Sequence, residues 1–139
     1  MAEQDSARPP LDTGGLKWNE ARFPGRAPID SYGNGGFRFA GMSHRGSIVC
    51  LPEGIHAWHV ERADQIDASA VELIAQAAGV ELLIVGTGAA MDVVPAEARE
   101  RLAKANIRVE PMATGPAART FNVLMGEGRA VAAALLAIE

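Results

Sequence analysis

Apolar and polar positions change period several times along the chain, and each change marks a different element. From Gly35, Phe37 and Phe39 alternate with Arg38 and Ala40, and after Ser43-His44-Arg45-Gly46 comes the unbroken apolar run Ile48-Val49-Cys50-Leu51. Alternation of period two marks a half-buried strand, and a short continuous run marks a strand covered on both faces. The two are predicted to pair as a β-hairpin. Pro52 and Gly54 end the second strand, and Ile55 to Val60, with Trp58, reads as a short further extended piece.

The period then lengthens. Ile66, Ala70, Leu73, Ile74 and Ala77 recur at helical spacing and stop at Gly79; Ser69 with Glu72 resembles a capping box, and Asp67 is an alternative cap. Glu81-Leu82-Leu83-Ile84-Val85 is nearly all apolar and opens into Gly86-Thr87-Gly88, the pattern of a central strand ending in a glycine loop. Pro95 fits the first position of a helix in which Glu97 with Arg101, and Glu100 with Lys104, form i, i+4 pairs, and Asn106 closes it. Ile107 and Val109 alternate with Arg108 and Glu110 in a strand that Pro111 places near an edge.

Thr114 before Gly115-Pro116 starts another helix, with Ala117, Phe121 and Leu124 on one face. Gly126 and Gly128 each cost about 1 kcal/mol inside a helix, which predicts two terminal helices or one bent helix, with Val131, Leu135 and Ile138 as the last apolar stripe. Residues 1–28, with Pro9, Pro10, Gly14, Gly15, Pro24, Gly25 and Pro28, read as an extended or mobile arm. Residues 29–139 are left as a single α/β domain, a β-hairpin followed by βαβα units.

Composition narrows the class. A chain of 139 residues, 48% hydrophobic and 22% charged, is of a size and balance to fold around one core. Seventeen acidic against thirteen basic side chains give a net charge of -4, which argues against a nucleic-acid partner. Lys17 and Lys104 are the only lysines, so Schiff-base chemistry and a phosphate-cradling P-loop lysine are disfavoured. With Cys50 the single cysteine, no internal disulfide or thiolate cluster forms. The acidic amino terminus lacks the positive charge of a secretory leader, and no apolar run reaches membrane-spanning length. A cytoplasmic protein without membrane insertion is expected.

Candidate chemistry is sparse. Gly86-Thr87-Gly88 could present backbone N–H groups to an anion, but Met91 stands where the dinucleotide fingerprint has its third glycine. His44, His56 and His59 do not share a spacing suited to a metal on extended chain, so no metal and no cofactor are expected. Cys50 sits in an apolar strand, where a thiol stays protonated. No serine hydrolase, zinc protease or kinase motif occurs, so no catalytic residue is assigned and the reading leans away from an enzyme. Arg119 and Asn122 are i, i+3 neighbours on the side of their helix away from Phe121, with Glu127 and Arg129 at the glycine break. They are either a polar recognition cluster or a solvated face with a weak ion pair.

Ile29-Asp30-Ser31-Tyr32-Gly33, Gly36-Phe37-Arg38, Trp58, Ile84-Val85-Gly86-Thr87-Gly88, Thr114, Arg119-Thr120-Phe121-Asn122-Val123-Leu124 and Glu127-Gly128-Arg129 together resemble a small prokaryotic domain family of unknown function. That family also contains a mitochondrial NADH:ubiquinone oxidoreductase (complex I) assembly factor. The resemblance implies a layered α/β domain with a mixed sheet and a role in assembly or interaction; it transfers no catalytic residue. The expected binding surface is Gly86, Thr87, Gly88, Thr114, Arg119, Asn122, Glu127 and Arg129, docking a protein partner of unspecified identity or a second copy of the chain. The alternative is a small-ligand site or enzyme with an anion pocket at Gly86 to Gly88.

Overall fold

The computed structural model describes residues 22–139, and most of the arm expected over 1–28 lies outside the described residues. Its last part, Arg22–Pro24 (β1), pairs antiparallel with Gly54–Trp58 (β6). β6 pairs in turn with Ser47–Leu51 (β5), which is buried at every position. The six-stranded sheet continues through Val131–Leu135 (β9) and Leu82–Gly86 (β7) to Arg108–Met112 (β8), in the order β1-β6-β5-β9-β7-β8. β7 runs parallel to both β8 and β9, whereas β5 and β9 are antiparallel, so the sheet is mixed. β8 is an edge strand, which explains why Pro111, without an N–H to donate, is tolerated there.

Two crossovers build the parallel half. β7 leads through Ala96–Lys104 (α2) to β8, and β8 returns through Thr114–Gly126 (α3) to β9 on the other side of β7. Because the second crossover reverses direction, a fixed crossover hand puts the helices on opposite faces of the sheet. Alternation along the strands agrees: Leu83 and Val85 share one core cluster with Ala98 and Leu102 of α2, while Ile84 shares the other with Ala117, Ala118 and Phe121 of α3. The α3 face is completed by a second sheet of three strands, Ile29–Gly33 (β2), Gly36–Phe39 (β3) and Met42–Arg45 (β4), which contributes Ile29, Phe37 and Phe39 to that cluster.

Several elements differ from the sequence-based expectation. Phe37 and Phe39 do not pair with Ile48 to Leu51; β3 pairs with β2 and β4, and β5 belongs to the larger sheet. Tight turns decide this, with positive φ at Asn34 and Gly35 and again at Ala40 and Gly41, the two-residue geometry that folds neighbouring strands back on each other. The helix expected from Ile66 to Ala77 contracts to a 3-10 turn at Ser69–Val71 and the short helix Glu72–Ala75 (α1). Neither Asp67 nor Ser69 is the cap residue, which is Ala68 for the turn and Val71 for α1, but Asp67 steadies the approach: its Oδ1 accepts the Ser69 hydroxyl at 2.8 Å and the Ala70 N–H at 2.9 Å, and these bonds hold its carboxyl below the usual range. Arg101 turns from Glu97 to Glu72 across the layer, donating from Nε at 2.8 Å and from Nη2 at 3.0 Å.

The largest difference is at the carboxyl end. Val131 to Leu135 forms strand β9, with Gly128 at φ +78 in the turn that precedes it, not a second helix. Val131, Ala133 and Leu135 pack on the α3 face and Ala132, Ala134 and Leu136 on the α2 face. Buried on both sides, β9 shows no alternation; Ala133 is the small residue at its centre facing α3, which packs across β7 and β9, while Ala132 and Ala134 face the α2 side. No described helix is long and apolar enough to cross a membrane.

Candidate functional site

The end of β7 meets the start of α3 at glycine. A methyl group on Gly86 would lie 3.0 Å from Thr114 Cα, Thr114 Oγ1 and Leu135 Cδ2, so the helix start reaches the strand end only because that group is missing. Thr114 is fully buried, and its hydroxyl donates to the Leu136 carbonyl at 2.8 Å while accepting the Gly88 N–H at 3.0 Å. The Thr114 N–H returns a bond to the Gly88 carbonyl at 2.8 Å. One side chain thus joins β7's loop, α3 and the residue after β9.

Thr87 performs the same office on the other side. Its N–H donates to the Met112 carbonyl at 2.8 Å, and its hydroxyl lies 2.8 Å from the Ala90 carbonyl, 3.0 Å from the Met112 carbonyl and 2.9 Å from the Asp92 N–H it accepts. Gly88 supplies the turn with φ +111 and open space where a side chain would be. The consequence for chemistry is direct. The N–H groups of Thr87 and Gly88 are both engaged inside the protein, so the loop does not hold them out to an anion.

What the loop does present is apolar. Beyond the pinned base, Ala89 to Val93 are exposed, with Met91 63% and Val93 69% accessible around Asp92, before Val94 returns to the core. Neither side chain is among the eight expected site residues, and Met91 enters the sequence reading only as a departure from the dinucleotide fingerprint. Their signal was position: large apolar residues between a glycine loop and Pro95, outside any periodic segment. Tyr32 was also missed; it leans over the first turn of α3, where a methyl group on Gly115 would collide with its ring and hydroxyl.

The eight residues expected to form one surface do not stay together. Gly86, Thr87, Gly88 and Thr114 come together as described. Asn122 lies farther along α3 and is a fastener, its Oδ1 accepting the Ile29 N–H at 2.8 Å and its Nδ2 donating to the Ile29 carbonyl at 2.9 Å, which ties the small sheet to the helix. Arg119 is exposed, one turn nearer the loop. Glu127 and Arg129, 4.0 Å apart and both exposed, do not join the group, because the 13 residues of α3 put about 20 Å between its two ends.

Elsewhere the reactive groups are quiet. Cys50 is buried in β5, and burial pushes its thiol pKa far up. His44 is buried in β4, where loss of solvation lowers its pKa and a hydrogen bond with the Ser47 backbone opposes the shift. His56 is hydrogen-bonded to Glu53. Among the described residues no group of three His, Cys, Asp or Glu side chains is placed to hold a metal ion.

Comparison with known proteins places these features in context. Residues 29–136 match the family described as a protein of unknown function, DUF498/DUF598. An uncharacterized protein of Rhodobacter capsulatus is 42% identical over 117 residues, covering 84% of this chain and 90% of that one. The NADH dehydrogenase [ubiquinone] 1 alpha subcomplex assembly factor 3 of Mus musculus is 31% identical over 118 residues, 84% of this chain; the match spans 64% of the mouse protein, under two thirds of its length. The crystal structure of a Bartonella henselae protein described as an outer membrane protein superposes with a TM-score of 0.76 at 51% identity, covering 84% of this chain and 99% of that one.

Proposed function

The chain belongs to the DUF498/DUF598 family, and from that premise we propose that it is a non-catalytic protein-binding module of the assembly-factor kind, serving respiratory complex I. The observation that carries this reading is the exposed pair Met91 and Val93 on a loop whose base is fixed by Thr87 and Thr114. Large apolar side chains held out on a fixed base lose little further freedom on docking, and their burial supplies the gain. Gly86, Thr87, Gly88 and Thr114 build the platform, and Arg119 flanks it with a positive charge.

The alternative of an anion pocket at Gly86 to Gly88 is disfavoured by the internal use of the Thr87 and Gly88 N–H groups. A cytoplasmic location is part of the proposal, and cell fractionation tests it. For the partner, the tagged chain is purified from its own host with wild-type sequence and with Met91→Ser and Val93→Ser combined. Wild type is expected to retain subunits or intermediates of NADH:ubiquinone oxidoreductase that the double variant loses at unchanged thermal stability. Equal retention by both proteins would remove the loop from the interface. Loss of none of that enzyme's assembled form on deleting the gene would remove the complex I assignment.

A further inference from the structure

The three-stranded sheet has a second face, turned away from α3, and its composition is unlike the rest of the protein. Cross-strand partners in an antiparallel sheet point the same way, and positions two apart on a strand share a face. Tyr32, Phe37 and His44 are paired across the sheet, and Phe37 and His44 are buried on the α3 side. The other face therefore carries Ser31, Arg38 and Ser43 in one cross-strand row, and Gly33, Gly36 and Arg45 in the next. Ser31, Arg38, Ser43 and Arg45 are all exposed.

These residues line a shallow hollow of about 330 Å³ with the turn residue Asn34. Gly33 and Gly36 give it a floor without side chains, and at Gly36 a methyl group would collide with the His44 carbonyl. Arg38 is already oriented, with its Nη1 donating to Ser43 Oγ at 2.6 Å. The Arg45 guanidinium has no hydrogen bond or ion pair among the described residues. As diagonal neighbours the two arginines start roughly 7–8 Å apart, a span that two long side chains close around a group between them. In a chain of net charge -4, no carboxylate among the described residues lines this hollow; Asp30 at the β2 bulge and Glu139 beside Gly35 stand outside its lining.

We propose that this tray is a binding site for a phosphoryl group. Two guanidinium forks and two serine hydroxyls offer more donors than the two oxygens of a carboxylate accept, and they suit the several oxygens of a tetrahedral phosphate. The glycine floor lets the group approach the strands. The site is separate from the Met91 loop, and its ligand is either a small phosphorylated molecule or a phospholipid headgroup.

The test is an NMR titration of the full chain with pyrophosphate, paired with sedimentation on vesicles of phosphatidylglycerol in phosphatidylcholine. Wild type is expected to show saturable amide shifts at Gly33, Gly36, Arg38 and Arg45 with pyrophosphate, or vesicle binding, or both. Arg38→Ala with Arg45→Ala is expected to weaken whichever binding is seen by at least about tenfold. Binding of free pyrophosphate assigns a small phosphorylated ligand, and vesicle binding alone assigns a headgroup. Absence of both, saturable shifts elsewhere on the protein, or equal binding by the double variant would each overturn the proposal. If the double variant loses its thermal transition, Arg45→Gln, which removes no internal bond, gives the same decision.

Discussion

Thr114→Val removes one oxygen from the point where three elements meet and changes little else. Valine keeps the size and the branch at Cβ, and residue 114 is fully buried, so no solvent replaces what is lost. Two partners lose their bond: the Gly88 N–H at 3.0 Å and the Leu136 carbonyl at 2.8 Å. Each hydrogen bond contributes about 1 kcal/mol net, and a buried group left unpaired costs about 1–3 kcal/mol, so the substitution should cost roughly 2–4 kcal/mol. For a domain of this size that lowers the thermal midpoint by roughly 8–16 °C. Urea unfolding followed by circular dichroism measures it, with Thr114→Ser, which keeps the hydroxyl, expected to lose under about 1.5 kcal/mol. A valine variant within about 0.5 kcal/mol of wild type, at an unchanged denaturant slope, would refute the role given to this hydroxyl.

Asn122→Ala strands the Ile29 N–H and carbonyl together, with an expected loss of about 2–4 kcal/mol, and hydrogen exchange should quicken in β2 to β4 before it does in β7 and β9. Cys50 should fail to react with a thiol reagent in the native protein and react at once in denaturant, because burial in β5 keeps the thiol protonated and covered. His44 has a folded pKa below its ordinary value of 6.5, so the unfolded chain takes up a proton more readily. Stability from this residue is therefore full above pH 6.5 and falls as the pH drops from there toward the folded value; comparing wild type with His44→Gln by thermal unfolding at pH 8 and pH 5 should show a smaller pH difference in the variant.

Strands covered on both faces were readable where their residues are large. Ile48 to Leu51 and Leu82 to Val85 announce themselves by size and continuity, and both are strands at the centre of the sheet. Val131 to Leu135 does the same work with alanine, whose local preference is helical, and its burial between the α2 and α3 layers is a tertiary fact that this preference hides. Asn34-Gly35 was a legible turn signal that would have separated β3 from β5. In the candidate site, the glycine loop and Thr114 were legible as chemistry out of place, a polar residue and glycines where a strand becomes a helix. That Asn122 fastens β2, a partner 93 residues away in sequence, depends on tertiary placement that periodicity does not carry.

In the proposed function, the loop from Gly88 to Pro95 is the face that meets a protein partner. A photo-crosslinking amino acid placed at Met91, and separately at Glu100 on the exposed side of α2, decides it in the native host. A discrete crosslinked species from position 91 containing a subunit or assembly intermediate of NADH:ubiquinone oxidoreductase, and none from position 100, is the expected result. Crosslinking from position 100 alone, or none from position 91 in cells that express the protein at its normal level, would contradict it.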